Sequence, residues 1–249
     1  MIVETERDLA ALRHIGQIVA LTRDEMLKLA RPGMTTAELD EIGKSVLDRY
    51  GAVSAPRSVY QFPGTTCISL NETAAHGIPG ERVLKAGDIV NIDVSAQLGG
   101  YFADTGGTTV LKPNDSALKE RLVRSSRNAL KHGIEQAKAG GKINQIGRAI
   151  HRAAAADSFC VIRNLAGHGV GRGLHEEPDN VLNFRNPRDG RLLAKGQVLA
   201  VETFLSTGAE WVEETEDGWS LVCPDGSLVA QFEHTIVVTD REPIVLTTA

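Results

Sequence analysis

The chain has 249 residues, with 27 Lys and Arg against 32 Asp and Glu, a formal net charge of −5, and 42% hydrophobic and 24% charged residues. That composition suits a globular protein, and a chain this long can bury roughly 75% of its unfolded surface without disulfides. The basic residues do not cluster and no segment reaches the ~18 apolar residues of a membrane span, so neither nucleic-acid nor membrane binding is expected. Cys67, Cys160 and Cys223 lack CxxC spacing, and the first residues carry charges in place of an apolar signal region. Both features point to a cytoplasmic protein.

Residues 4–29 place Leu9, Leu12, Ile15, Ile18, Val19, Met26 and Leu27 at helical spacing, which predicts a long helix. Pro32-Gly33 breaks it, and Thr35 with Glu38 forms a capping-box signal for a second helix that stops at Gly51. His76-Gly-Ile-Pro79 follows, then KAGDIVNID, a run that ends in Asp93. Residues 89–110 predict a hairpin turning through Leu98-Gly99-Gly100. A turn at Leu98-Gly99 sets Asp93 opposite Asp104. A turn at Gly99-Gly100 sets Ser95 there, with Asp93 two residues along. Side chains alternate on a strand, so either register puts both carboxylates on one face.

The second half repeats the plan. Residues 115–138 form another helical pattern, Gly140-Gly141 breaks it, and a further helix follows. GHGVGRGLHEEP, residues 167–178, threads His168 and His175 among four glycines and ends in a second His-x-x-Pro. AKGQVLAVE ends in Glu202, at the spacing from Gly196 that Asp93 has from Gly87. LVAQFEHTIVV carries Glu233, across a Pro224-Asp225-Gly226 turn from WSLVC. Recurrence of helix break, strand and histidine motif in one order predicts a single domain over 1–249. Its related halves span roughly 1–110 and 111–249, with strands central and helices outside.

Asp93, Asp104, Glu202 and Glu233 are acids within largely apolar strands, where a buried charge must be paired or metal-bound. With His168 they make four carboxylates and one imidazole. That oxygen-rich set suits Mn, Fe, Co or Zn in an open catalytic site, and four carboxylates suit two cations better than one. The glycines around His168 are expected to let backbone run close to metal and substrate. Rival motifs fail: GHGVGRG is neither G-x-G-x-x-G nor a P-loop, and His175-Glu176 lacks the second histidine of HExxH.

In combination CISLNETAAHGIPG, NIDV…YFADTGGT, AGHGVGRGLHEEP and AQFEHTIVVTD resemble type I methionine aminopeptidase over essentially the whole chain. The resemblance implies an α/β (α+β) pita-bread fold: two pseudo-symmetric halves, a central curved antiparallel sheet and outer helices. It implies a metalloexopeptidase that removes the initiator methionine from peptides and nascent chains when the second residue is small. Attack would come from a hydroxide bridging two divalent ions (Co, Mn, Fe, Zn or Ni). Asp104 and Glu233 would bridge the ions, Asp93 would chelate one, and His168 and Glu202 would complete the other. Glu202 would be the general base, His175 would bond the oxyanion, and His76 would contact the scissile nitrogen. Tyr60, Phe62, Cys67, Leu174 and Trp219 would line the methionine pocket. A monomer working near the ribosome is expected. Alternatives are an X-Pro aminopeptidase and a catalytically silent binding protein of the same fold. Leu174 stands where Phe is common, Thr203 where Pro is usual and Ala75 where Cys is frequent; the first two bear on pocket shape and rate.

Overall fold

The computed structural model describes residues 1–248. Helices α1 (Glu6–Leu29) and α2 (Thr36–Tyr50) each begin at a capping box, Thr5 with Asp8 and Thr35 with Glu38. α2 stops where Gly51 takes the left-handed conformation, φ 68°. There follow β1 (Val53–Ser54), α3 (Ala55–Tyr60), β2 (Cys67–Leu70) and β3 (Thr73–Ala75), then a long hairpin of β4 (Ile89–Leu98) and β5 (Tyr101–Val110). Leu98 pairs with Tyr101, so the turn is Gly99-Gly100, with φ of 59° and 78°. The second of the two foreseen registers is the one adopted, with Ser95 opposite Asp104.

The second half opens with α4 (Ala117–Ile134) and α5 (Asn144–Ala156). α4 ends short of residue 138 because the chain turns back there, and the Ala139 N–H donates to the carbonyl of Thr239. The remaining strands are β6 (Cys160–Val161), β7 (Ala166–Gly169), β8 (Glu176–Leu182), β9 (Val198–Ser206), β10 (Glu213–Glu214), β11 (Leu221–Val222), β12 (Val229–Val237) and β13 (Ile244–Val245). The main antiparallel sheet runs β1-β4-β5-β12-β9-β7-β8, with β2 also on β4, β6 on β9 and β13 on β12. WSLVC and LVAQF do not pair across their turn. β11 joins β10 and β3 in a separate three-stranded sheet, while β12 enters the centre of the large one.

Alternation on the strands sorts the two faces. Ile92 and Val94 of β4 join Leu12, Ile15 and Met26 of α1 in one buried cluster. Leu199 and Val201 of β9 join Leu122 of α4 and Ile146 of α5 in another. Asp93, between Ile92 and Val94, and Glu202, next to Val201, face the opposite way.

Candidate metal centre

One row across the sheet collects most of the acids. Glu233 of β12 stands opposite Glu202 of β9 and opposite Gly106 of β5, while Gly106 stands opposite Asp93 of β4. Asp104 lies two residues from Gly106 on the same face. His168 reaches the row from β7, which pairs it with Ala200, two residues before Glu202. A Cβ at Gly106 would fall 2.0 Å from Oε1 of Gln231, so only glycine leaves the centre of the row clear.

Ligand atoms of Asp104, His168 and Glu233 lie within 4.8 Å of one another. His168 Nδ1–H donates to the Gly169 carbonyl at 2.9 Å, turning Nε2 toward Asp104 Oδ2, 3.8 Å away. Gln231 Nε2 donates to Glu233 Oε2 at 3.1 Å, and Asn91 Nδ2 donates to Gln231 Oε1 at 2.7 Å. The other oxygens, Asp104 Oδ1 and Glu233 Oε1, are buried with no hydrogen-bond partner among the described residues.

Burial, and then the neighbouring carboxylates, push Asp93, Glu202 and Glu233 well above the usual carboxylate range. Burial raises Asp104 to about 6. Burial, helped by the nearby His175, lowers His168 to about 4 and keeps its imidazole neutral. Repelling acids, orphaned oxygens and a neutral imidazole lack only positive charge, and divalent metal fits that need. Of the five residues expected as ligands, Asp104, His168 and Glu233 bring their ligand atoms closest, and Asp93 and Glu202 line the same cavity.

Above them lies a cavity of about 280 Å³ lined by all five and by Tyr60, Phe62, Cys67, His76, Leu174, His175 and Trp219. Phe62 and Trp219 meet edge to face, ring centroids 5.2 Å apart. Cys67 is buried, and that burial raises its pKa, so its thiol serves as apolar wall. The two rim histidines arrive on constrained turns. His76 holds a left-handed backbone, φ 54°, beside Gly77, whose N–H donates to Ser69 Oγ at 3.1 Å. His175 ends the glycine loop, its Nδ1 2.6 Å from the Tyr60 hydroxyl and its ring centroid 4.1 Å from that of His168. Enclosure lowers the pKa of both rim histidines. A larger cavity of about 980 Å³ opens elsewhere, where Arg23, Arg127 and Lys131 stand beside Leu27 and Phe232, without the acid cluster.

The glycines of this loop permit close packing of the backbone. A Cβ at Gly167 would fall 2.3 Å from the Ala200 carbonyl oxygen, and one at Gly169 2.3 Å from that of Glu177. A Cβ at Gly171 would fall 2.6 Å from the Met1 side chain. Their close approaches within the chain are to neighbouring strands and to Met1. Thr203 lies in an unbroken β9 opposite Phe232, and its hydroxyl is 2.9 Å from that of Ser126 on α4, so the ladder fixes the backbone beside Glu202. Sequence reasoning passed over Gln231 and Asn91. The available signal was their position two residues from Glu233 and Asp93, hence on the same strand faces.

The sequence profile of metallopeptidase family M24 matches residues 10–240. The chain is 52% identical over 248 residues to methionine aminopeptidase 2 of Bacillus subtilis, covering 99% of both chains. It is 47% identical to the methionine aminopeptidase of Staphylococcus epidermidis, over 99% of this chain and 98% of the other. The crystal structure of the Thermotoga maritima methionine aminopeptidase superposes with a TM-score of 0.95 at 34% identity, covering both chains completely. On sequence, fold and the acid cluster alike, the chain belongs to metallopeptidase family M24.

Proposed function

We propose that this protein is a methionine aminopeptidase, removing the first residue of peptides and nascent chains that begin Met followed by a small residue. The observation that carries the reading is the cluster of buried acids and neutral imidazole under a cavity sized for one side chain and its peptide bond. Full-length likeness to methionine aminopeptidases supports it. Asp93, Asp104, His168, Glu202 and Glu233 would hold two divalent ions, with Co, Mn, Fe, Zn and Ni all compatible with the donor set. Such ions, when bound, supply Lewis acidity and lower the pKa of water at the site.

The chain's own groups account for the rest. Glu202 takes a proton from the attacking water. His175 donates to the carbonyl oxygen as negative charge develops there. A Tyr60 hydroxyl that donates to Nδ1 leaves the ring proton of the neutral imidazole on Nε2, the tautomer able to donate. His76 approaches the scissile nitrogen and passes it a proton as the amine leaves. Phe62, Cys67, Leu174, Trp219 and Tyr60 enclose the methionine side chain. The substrate class supports a cytoplasmic monomer working near the ribosome; no helix among the described residues is long and apolar enough to cross a membrane.

The test is hydrolysis of Met-Ala-Ser, Met-Leu-Ser and Ala-Pro-Ala with Mn²⁺ or Co²⁺ and with chelator. Metal-dependent release of methionine from Met-Ala-Ser is expected, falling by about a hundredfold or more in kcat for Glu202→Ala. Cleavage of Ala-Pro-Ala alone would move the protein to the X-Pro peptidases. Metal binding without any cleavage would leave a silent binding protein.

A further inference from the structure

The loop that carries Leu174 and His175 has almost no side-chain packing of its own, since Gly171 and Gly173 flank Arg172 and only Leu174 is deeply buried. Its shape is held from outside. Glu176 Oε1 accepts two backbone N–H groups of the loop, those of Arg172 and Gly173, each at 2.6 Å. Oε2 of the same carboxylate lies against the Met1 amine. Gly171 packs on the Met1 side chain, and its carbonyl accepts from the Phe102 N–H at 2.8 Å. The Arg172 guanidinium lies 3.6 Å from the Tyr101 ring centroid and donates to Asp8 Oδ1 at 3.0 Å. Among these ties, the Glu176 carboxylate alone grips the loop's backbone immediately before Leu174 and is itself adjacent to His175.

We propose that Glu176 is a positioning residue for the aminopeptidase reaction, its Oε1 fixing the turn that sets Leu174 as pocket wall and His175 over the substrate carbonyl. The proposal rests on the function given above. Glu176 does not line the cavity and acts through these two neighbours. Two charge-assisted bonds from one carboxylate oxygen to consecutive N–H groups restrain a chain that glycine leaves free. Loss of that acceptor frees Leu174 and His175 together, so the effect falls on substrate fit and on turnover at once.

Glu176→Ala and Glu176→Gln are compared with wild type on Met-Ala-Ser and Leu-Ala-Ser, metal-loaded and well below each variant's Tm. The alanine variant is expected to lose about tenfold or more in kcat/KM, with KM raised, kcat lowered and the preference for Met over Leu narrowed. The glutamine variant, whose amide oxygen can accept the same two N–H groups, should recover to within about threefold of wild type. An alanine variant with a lowered Tm but wild-type kcat, KM and preference overturns the proposal and leaves Glu176 a purely structural residue. A glutamine variant as impaired as alanine overturns it as well, because the acceptor oxygen would then be insufficient. If the alanine variant does not fold, Glu176→Asp, too short to reach both groups, takes its place with the same expectations. Wild type that leaves Met-Ala-Ser intact removes the aminopeptidase reading and this inference with it. Active wild type beside unchanged variants removes the inference alone.

Discussion

Tyr60 and His175 meet at 2.6 Å although the tyrosine sits on a short helix and the histidine 115 residues later on a loop. If the hydroxyl sets the imidazole tautomer, Tyr60→Phe keeps the pocket wall and loses only that bond. A net hydrogen bond of roughly 0.5–1.5 kcal/mol corresponds to about a two- to twelvefold fall in kcat, with KM for Met-Ala-Ser nearly unchanged. Steady-state kinetics on Met-Ala-Ser decide it: an unchanged kcat would show that the pair does nothing for turnover. At this scale the sequence was most informative about acids. A carboxylate within an apolar strand is conspicuous because its burial needs a counter-charge. Gln231 and Glu176 gave no comparable signal, since a glutamine in a strand or a glutamate after a histidine is ordinary until its partners are known.

The elements were legible where local chemistry alone decides them. Thr35 with Glu38, and Gly51, fix the two ends of α2 through backbone groups close by. The hairpin of β4 and β5 was legible only to within one residue, because Leu98-Gly99 and Gly99-Gly100 both make acceptable turns until pairing chooses. The partners of WSLVC were not legible for a different reason. Both β10 and β3 are short, β3 is distant in sequence, and a turn signal says nothing about which strand a segment joins. Gly106 shows how tightly element and site are coupled. Gly106→Ala would drive Gln231 from its place and release Glu233, so Mn²⁺ affinity by calorimetric titration should fall about ten- to a hundredfold. Unaltered affinity would mean that the amide has room to move and that Glu233 does not depend on it.

Across the whole molecule, the buried acids and histidines set opposing pH dependences. Acids with raised pKa hold protons that the unfolded chain releases near pH 4, so their contribution to metal-free stability falls from there upward, for Asp104 until it ionises at about 6 and for Asp93, Glu202 and Glu233 beyond. His168 and His234, both lowered to about 4 by burial, act in the other direction. Their unfolded counterparts take up protons near the ordinary imidazole value of 6.5, and stability is lost as pH drops from there toward 4. Above about pH 6.5 the histidines are neutral in both states and only the acids act, so metal-free Tm should fall from there toward pH 8, where divalent ions should raise it by neutralising the acids. Scanning calorimetry of chelated and Mn²⁺-loaded samples from about pH 4 to 8 would show it. A metal-free Tm that keeps rising toward pH 8 would mean that the acids ionise without cost.

The central pairing of β5 with β12 has a further consequence, for how a cell makes this protein. Thr105 donates through its hydroxyl to the backbone of Glu233, a residue 128 positions later, and the acid row closes only there. A copy still being translated can display Asp93 and Asp104 but cannot assemble the row until β12 has left the ribosome. Each molecule therefore acquires divalent metal after synthesis, and a message truncated before residue 233 yields a product that no excess of metal can rescue.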